Sequence, residues 1–185
     1  MRVLAVVLLL LPAPLVAQEE TAENSVLRTL ELPAHRALQS VIQDPATVLL
    51  PFETDGCSGG MSWSWRLVSD LFPDFKDAQG ATPPWEDCCV IHDRAYHNAG
   101  GATDASESYA ARLGADEALR QCVVRQGEQN VAALSAQYEV SQEVVRQAYT
   151  TIGDAMFNAV RFGGGPCSVL PWRWGYGYPV CLGIF

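Results

Sequence analysis

The stretch Trp85-Glu86-Asp87-Cys88-Cys89-Val90-Ile91-His92-Asp93-Arg94-Ala95-Tyr96 constrains this chain more than any other. Two cysteines, a histidine and an aspartate fall within six consecutive residues of it. Pro83-Pro84 stand before it and Gly100-Gly101 after it. Prolines ahead of a helix and glycines past its end are helix punctuation, so residues 85–98 are predicted to be helical. On that helix Cys88, His92 and Tyr96 share one face, and Cys89 and Asp93 form the neighbouring stripe. One stripe could be pinned by disulfides at its start and carry a base further along. The adjacent carboxylate is free to face a metal.

How the cysteines are used depends on the compartment. The chain starts Met1-Arg2, continues with the apolar run Val3 to Leu11, and reaches Leu15-Val16-Ala17 before Gln18-Glu19-Glu20. A basic start, a short apolar run and a small residue at the cut read as a signal peptide over residues 1–17, so the protein is expected to be secreted or periplasmic. Residues 18–185 are long enough for one domain with a sizeable core. No later stretch reaches the roughly 18 apolar residues of a membrane span. Six cysteines remain, Cys57, Cys88, Cys89, Cys122, Cys167 and Cys181. An even count in an exported chain implies three disulfides. A zinc site built from Cys89, His92, His97 and Cys122 is the competing use, disfavoured because no Cys-x-x-Cys pair is present.

Charge narrows the partners. The formal net charge is −9, with a single lysine, Lys76, and loss of Arg2 with the leader makes it more negative. No basic face is available for nucleic acid. Contact with a membrane must rest on apolar and aromatic side chains rather than on charge attraction.

Along the chain, Ser25 to Gln43 has a helical apolar spacing interrupted at Pro33, which predicts one or two short amphipathic helices, with His35 as a surface or packing residue. The run Thr54-Asp55-Gly56-Cys57-Ser58-Gly59-Gly60 is a glycine-rich loop whose main-chain carbonyls can turn inward, as calcium requires; an ordinary disulfide-bearing turn explains the same residues. Residues 61–84, with Trp63, Trp65, Leu67, Val68, Leu71, Phe72 and Phe75, are expected to form a short helix and a loop. Their aromatics are assigned to the core in preference to a greasy rim. Ser106 is the expected cap of a helix from Glu107 to Gln126 that Gly127 ends. Helices are also expected over Glu128 to Tyr138 and over Ser141 to Phe162. The last is capped by Ser141, has Val144, Val145, Ala148, Ile152, Ala155, Met156 and Ala159 on its apolar face, and stops at Gly163-Gly164-Gly165-Pro166. In the Gly/Pro-rich aromatic tail, Cys167 and Cys181 are expected to pair. Trp172, Trp174, Tyr176 and Tyr178 alternate like a short strand that either covers the core or forms an interfacial patch.

The chemistry comes from combining these pieces. Asp116 and Cys122 lie six apart on the second long helix, so both can reach a common neighbouring helix. If Cys88 pairs with Cys122, Asp116 is drawn to His92. If Cys57 pairs with Cys89, Asp55, the Gly56 carbonyl and Asp93 can surround one cation. A carboxylate behind His92 holds one ring nitrogen as a donor and leaves the other to take a proton from water. A calcium ion in front polarises a carbonyl and stabilises the oxyanion. The result is metal-assisted ester hydrolysis with water as nucleophile. No Gly-x-Ser-x-Gly elbow is present, which disfavours a serine hydrolase.

At these residues the chain resembles the secreted phospholipase A2 superfamily. The resemblance rests on Asp-Gly-Cys-Ser at 55–58, Cys-Cys-x-x-His-Asp-x-x-Tyr at 88–96, and Asp116 with Cys122. The short loop looks more like bacterial and fungal members than animal ones. The resemblance implies a mainly α-helical fold around a disulfide-linked antiparallel helix pair of phospholipase A2 type, with extra helices. It implies His92 as general base, Asp116 as the residue that orients it, and Tyr96 as support for that pair. It also implies Asp93, Asp55 and the Gly56 carbonyl as calcium ligands, and the disulfides Cys57–Cys89 and Cys88–Cys122. The implied activity is calcium-dependent cleavage of the sn-2 acyl ester of glycerophospholipids at a membrane surface or lipid aggregate. The aromatic tail has no counterpart in the family. The alternative is a non-catalytic, disulfide-stapled module that binds lipid, calcium or a protein.

Overall fold

The computed structural model describes residues 22–57, 66–67, 70–71 and 80–181. The expected signal peptide, the Ser58-Gly59-Gly60 end of the glycine loop, and Trp63, Trp65, Val68, Phe72 and Phe75 lie outside the described residues. The chain is mainly helical, with no strand among the described residues. Five helices have described bounds: α1 Ala22–Ile42, α2 Glu86–His97, α3 Ala105–Gln129, α4 Val131–Tyr138 and α5 Gln142–Gly163. A 3-10 turn, Ala99–Gly101, joins α2 to the approach of α3. Leu67 and Leu71 are helical and exposed, while the aromatics assigned to the core lie outside the described residues.

Helix α2 matches its expected span to within one residue at each end. Glu86 and Asp87 occupy its first turn and Arg94 and His97 its last. The two carboxylates and the Arg94 guanidinium each oppose the partial charge of their helix end, worth a few tenths of a kcal/mol or more per group. Of the one or two short helices expected around Pro33, a single longer one forms, α1. It runs as one element through Pro33. An internal proline removes a backbone bond and costs about 3 kcal/mol, and burial offsets this here: Leu38 and His35 are fully buried.

Helix α3 is capped by Asp104 rather than Ser106. The Asp104 Oδ1 accepts from the N–H groups of Ser106 at 2.7 Å and Glu107 at 2.9 Å. Asp104 has the extended backbone of a cap residue, and its short carboxylate reaches the orphan N–H groups of the first turn. Gly127 does not end α3; it lies inside it, at a crossing point. A Cβ there would stand 2.3 Å from Tyr149 Cγ, so the missing side chain lets α5 pack closely. Ser141 caps α5 as expected, accepting from Val144 N–H at 3.3 Å. The buried stripe of α5 is Val145, Tyr149, Gly153 and Met156, whereas Val144 is exposed.

The tail is a chain of turns, not a strand. Gly175 has φ +75°, outside strand geometry. The tail's N–H groups also find partners elsewhere. Gly175 N–H donates to the Tyr96 carbonyl at 2.7 Å and Gly177 N–H to the His97 carbonyl at 3.0 Å. These are carbonyls of the last turn of α2, which no further helical turn would satisfy. Trp174 is fully buried, and its indole N–H donates to Ser108 Oγ at 2.9 Å. At Trp174 the tail therefore covers the core, while Val169 is 91% exposed.

Three disulfides close the structure: Cys57–Cys89, Cys88–Cys122 and Cys167–Cys181. All three match the expected pairings. One buried cluster gathers Trp85, Cys88, Leu119, Val123, Tyr149 and Met156. A second gathers Leu38, Tyr96, Ala99, Trp174 and the tail disulfide. His92 lies on α2 between Cys88 of the first cluster and Tyr96 of the second. No helix among the described residues is long and apolar enough to cross a membrane.

Two outcomes follow from this packing. Gly127→Ala should destabilise the protein by roughly 1–3 kcal/mol through overpacking, read as a lower urea midpoint with an unchanged m-value. The second concerns His35, which bonds Ser108 Oγ through Nδ1 at 2.8 Å and lies 3.7 Å from Glu31 through Nε2. Burial pushes its pKa below the usual value, and the opposing pull of Glu31 does not restore it. The unfolded chain therefore takes up this proton at a higher pH than the folded one. His35's contribution is complete above about 6.5, the unperturbed histidine value, and is lost as pH falls below it. Denaturation midpoints measured from neutral to mildly acidic pH should fall less steeply in His35→Gln than in the wild type.

Candidate functional site

Helix α2 sends its two stripes to different neighbours. On the first, Cys88 meets Cys122, His92 meets Asp116, and Tyr96 meets Asp116 and Arg112. The partner numbers on α3 fall as those on α2 rise. On the second stripe, Cys89 is bonded to Cys57 and Asp93 accepts from Thr54. The loop at 53–57 is thus held on one side of α2 and helix α3 on the other.

His92 Nε2 lies 2.8 Å from Asp116 Oδ1, with Asp116 fully buried and His92 only 6% exposed. A carboxylate only accepts, so Nε2 carries the proton and Nδ1 is left with its lone pair. Among the described residues no side chain or backbone group bonds Nδ1. Tyr96 O–H donates to the same Oδ1 at 2.6 Å, and its ring is tilted against the imidazole at a centroid distance of 4.1 Å. Burial, with Asp116 adding to it, pushes the Tyr96 phenol well above its usual pKa, so it remains a donor. All three residues expected to form the reactive group, His92, Asp116 and Tyr96, are therefore joined.

The expected metal ligands also lie close together. Asp93 is 7% exposed and its Oδ2 accepts from Thr54 Oγ1 at 2.6 Å. Gly56 N–H donates to the same Thr54 oxygen at 3.1 Å, and Gly56 has φ +81°, a conformation that suits glycine. Asp55 and Asp93 line one cleft of about 320 Å³, with Glu53 and Thr54 beside them and Trp172 and Tyr176 of the tail facing in. Tyr176 is held by its O–H, which donates to the Glu53 carbonyl at 2.6 Å. Burial pushes the Asp93 pKa up to about 6, and the nearby Asp55 adds to the rise. Burial and the same carboxylates raise Tyr176.

This donor set fits a hard cation. Calcium takes carboxylates, hydroxyl and main-chain oxygens and waters, and Asp93 has no Arg or Lys partner among the described residues. No group of three or more His, Cys, Asp or Glu side chains suited to a metal occurs there either, so a calcium site needs main-chain or water oxygens. The zinc alternative is overturned: all six cysteines are in disulfides, leaving no thiolate for His92 or His97 to complement.

Behind Asp116 is a group of residues that sequence reading missed. Arg161 of α5 donates through Nη1 to Asp116 Oδ2 at 3.1 Å and through Nη2 to Glu31 of α1. Arg112, fully buried, donates through Nη1 to Glu31, through Nε to Tyr96 Oη at 3.3 Å, and through Nη2 to the carbonyls of Val160 and Arg161 at 2.8 and 2.9 Å. Burial alone would raise the Glu31 pKa; His35 and the two guanidinium groups outweigh it and bring it below the usual value. The spacing of Arg112 four before Asp116 was a usable signal. Nothing local marks Arg161 or Glu31, which are 130 residues apart.

Comparison of the chain with protein-family models, with curated proteins and with solved structures finds no match. Tyr96→Phe deletes one donor to Asp116 and one acceptor of Arg112. It should cost roughly 1–3 kcal/mol, since it leaves buried groups short of a partner, measured by chemical denaturation.

Proposed function

We propose that the protein is a secreted, calcium-dependent phospholipase A2-like hydrolase that cleaves the sn-2 acyl ester of glycerophospholipids. The observation that carries this reading is the 2.8 Å contact between His92 Nε2 and Asp116, with no partner at Nδ1 among the described residues and the Asp93 carboxylate on the next residue of the helix. On this reading α2 and α3 are the antiparallel helix pair of the phospholipase A2 type. Three disulfides suit an oxidising, extracellular-type compartment.

The chain's own residues have definite tasks. His92 Nδ1 accepts a proton from water as the water oxygen attacks the ester carbonyl carbon. Asp116 holds the Nε2–H and stabilises the imidazolium that forms. His92 then returns the proton to the departing alcohol oxygen, and the acyl C–O bond breaks to give a fatty acid and a lysophospholipid. Asp93, Asp55 and the Gly56 carbonyl would hold calcium, which when bound would supply Lewis-acid polarisation of the ester carbonyl. Contact with the lipid surface is apolar, as the net charge of −9 demands. Ile91, next to His92, is 66% exposed, and Leu50, ahead of the loop, is 60% exposed.

The test is fatty-acid release from mixed phospholipid vesicles by oxidised protein, with calcium and then with chelator. Release should stop on chelation. It should fall by about 100-fold or more in His92→Gln, the scale of general-base action, with the fold retained by circular dichroism. Asp93→Asn should weaken calcium binding measured by calorimetry. Full release in the presence of chelator, or in His92→Gln, would overturn the assignment. Calcium binding without release from any lipid would point instead to a non-catalytic calcium- and lipid-binding module.

A further inference from the structure

We infer that Arg161, anchored by Glu31, is a positioning residue for the His92–Asp116 pair. This role in turnover rests on the hydrolase reading. The argument starts from the oxygen atoms of Asp116. Oδ1 serves both His92 and Tyr96, at 2.8 and 2.6 Å. The terminal torsion of an aspartate is broad and sets few limits of its own. Beside the Tyr96 hydrogen bond, a hold on the other oxygen keeps Oδ1 turned toward His92. Arg161 Nη1 supplies it at 3.1 Å, while Arg112 Nε is at 4.0 Å, outside hydrogen-bond reach.

Arg161 is itself fixed twice. Its second nitrogen, Nη2, is bonded to Glu31, so one planar guanidinium bridges a carboxylate of α1 and a carboxylate of α3. Arg112 then takes the carbonyls of Val160 and Arg161, holding the main chain from which Arg161 reaches. The order of support is Arg112 and Glu31 on Arg161, Arg161 on Asp116, and Asp116 on His92. Two guanidinium groups face two carboxylates, and Arg161 is 12% exposed. A lysine offers a point charge in place of a fork, so it can hold Asp116 or Glu31 but not both in this geometry.

The experiment uses the full oxidised chain with histidine labelled by nitrogen-15. Only three histidines are present, His35, His92 and His97, and His92→Gln assigns the signal of the catalytic ring. Arg161→Met should lower kcat by about 10- to 100-fold, the scale of a misplaced reacting group, with KM for a short-chain monomeric lecithin unchanged. Arg161→Lys should recover part of the loss. In the nuclear magnetic resonance spectrum the His92 Nε2–H signal should shift and exchange faster with water in Arg161→Met, while the His97 ring signals stay in place.

A wild-type kcat and an unmoved His92 signal in Arg161→Met would overturn the proposal. So would equal disturbance of His92 and His97, which marks general loosening. If Arg161→Met does not fold, Arg161→Lys and Glu31→Gln decide: wild-type kcat and His92 signal in both overturns it. A wild-type protein with no turnover defeats the hydrolase reading alone, because the His92 signal still reports whether Arg161 fixes Asp116.

Discussion

Two adjacent cysteines hold α2 from two sides, and the remaining geometry depends on that. Neighbours on a helix point about 100° apart, so Cys88 and Cys89 cannot face the same way. Cys88 is bonded to α3 and Cys89 to the loop before α2. One turn later His92 and Asp93 inherit the same divergence: the imidazole meets Asp116 and the carboxylate meets Thr54. The bridged residues are 34 and 32 positions apart. In the chain-entropy account each such closure contributes about 3–4 kcal/mol. An imidazole and a carboxylate can thus stand side by side in sequence and still face two different walls.

The second dependence is electrostatic. Asp116 and Arg112 are both fully buried, which is costly unless every charge has a partner. Glu31, Arg112, Arg161 and Asp116 supply one another across α1, α3 and α5. Removing one member of such a group typically costs 3–5 kcal/mol, because it leaves a buried charge behind. Through Glu31, helix α1 is thereby tied to the His92–Asp116 pair.

Sequence reading reached what local chemistry dictates. Helix α2 was legible because prolines and glycines bracket it, and the His92–Asp116 pair because Asp116 lies six before Cys122 and His92 four after Cys88, so one disulfide draws them together. The tail was misread because alternating aromatics imitate a strand, while Gly175 and Gly177 turn the backbone toward the end of α2. Pro33 was read as a break because propensity was weighed without the burial of Leu38 and His35. Arg161 and Glu31 were invisible for a different reason. Their partners are brought together only by the packing of whole helices, and no residue spacing encodes that.

The docking of the tail on α2 bears on when the molecule becomes complete. The cleft has one wall from the loop at 53–55 and another from Trp172 and Tyr176. That second wall hangs on the carbonyls of Tyr96 and His97 and is closed by the Cys167–Cys181 bond. Cys181 follows every other cysteine in the chain. During synthesis the histidine, its carboxylate and four of the cysteines emerge well before the wall that encloses the cleft. The wall that encloses the cleft is thus its last part to be made, and a chain stopped ahead of Trp172 carries His92 and Asp116 without it.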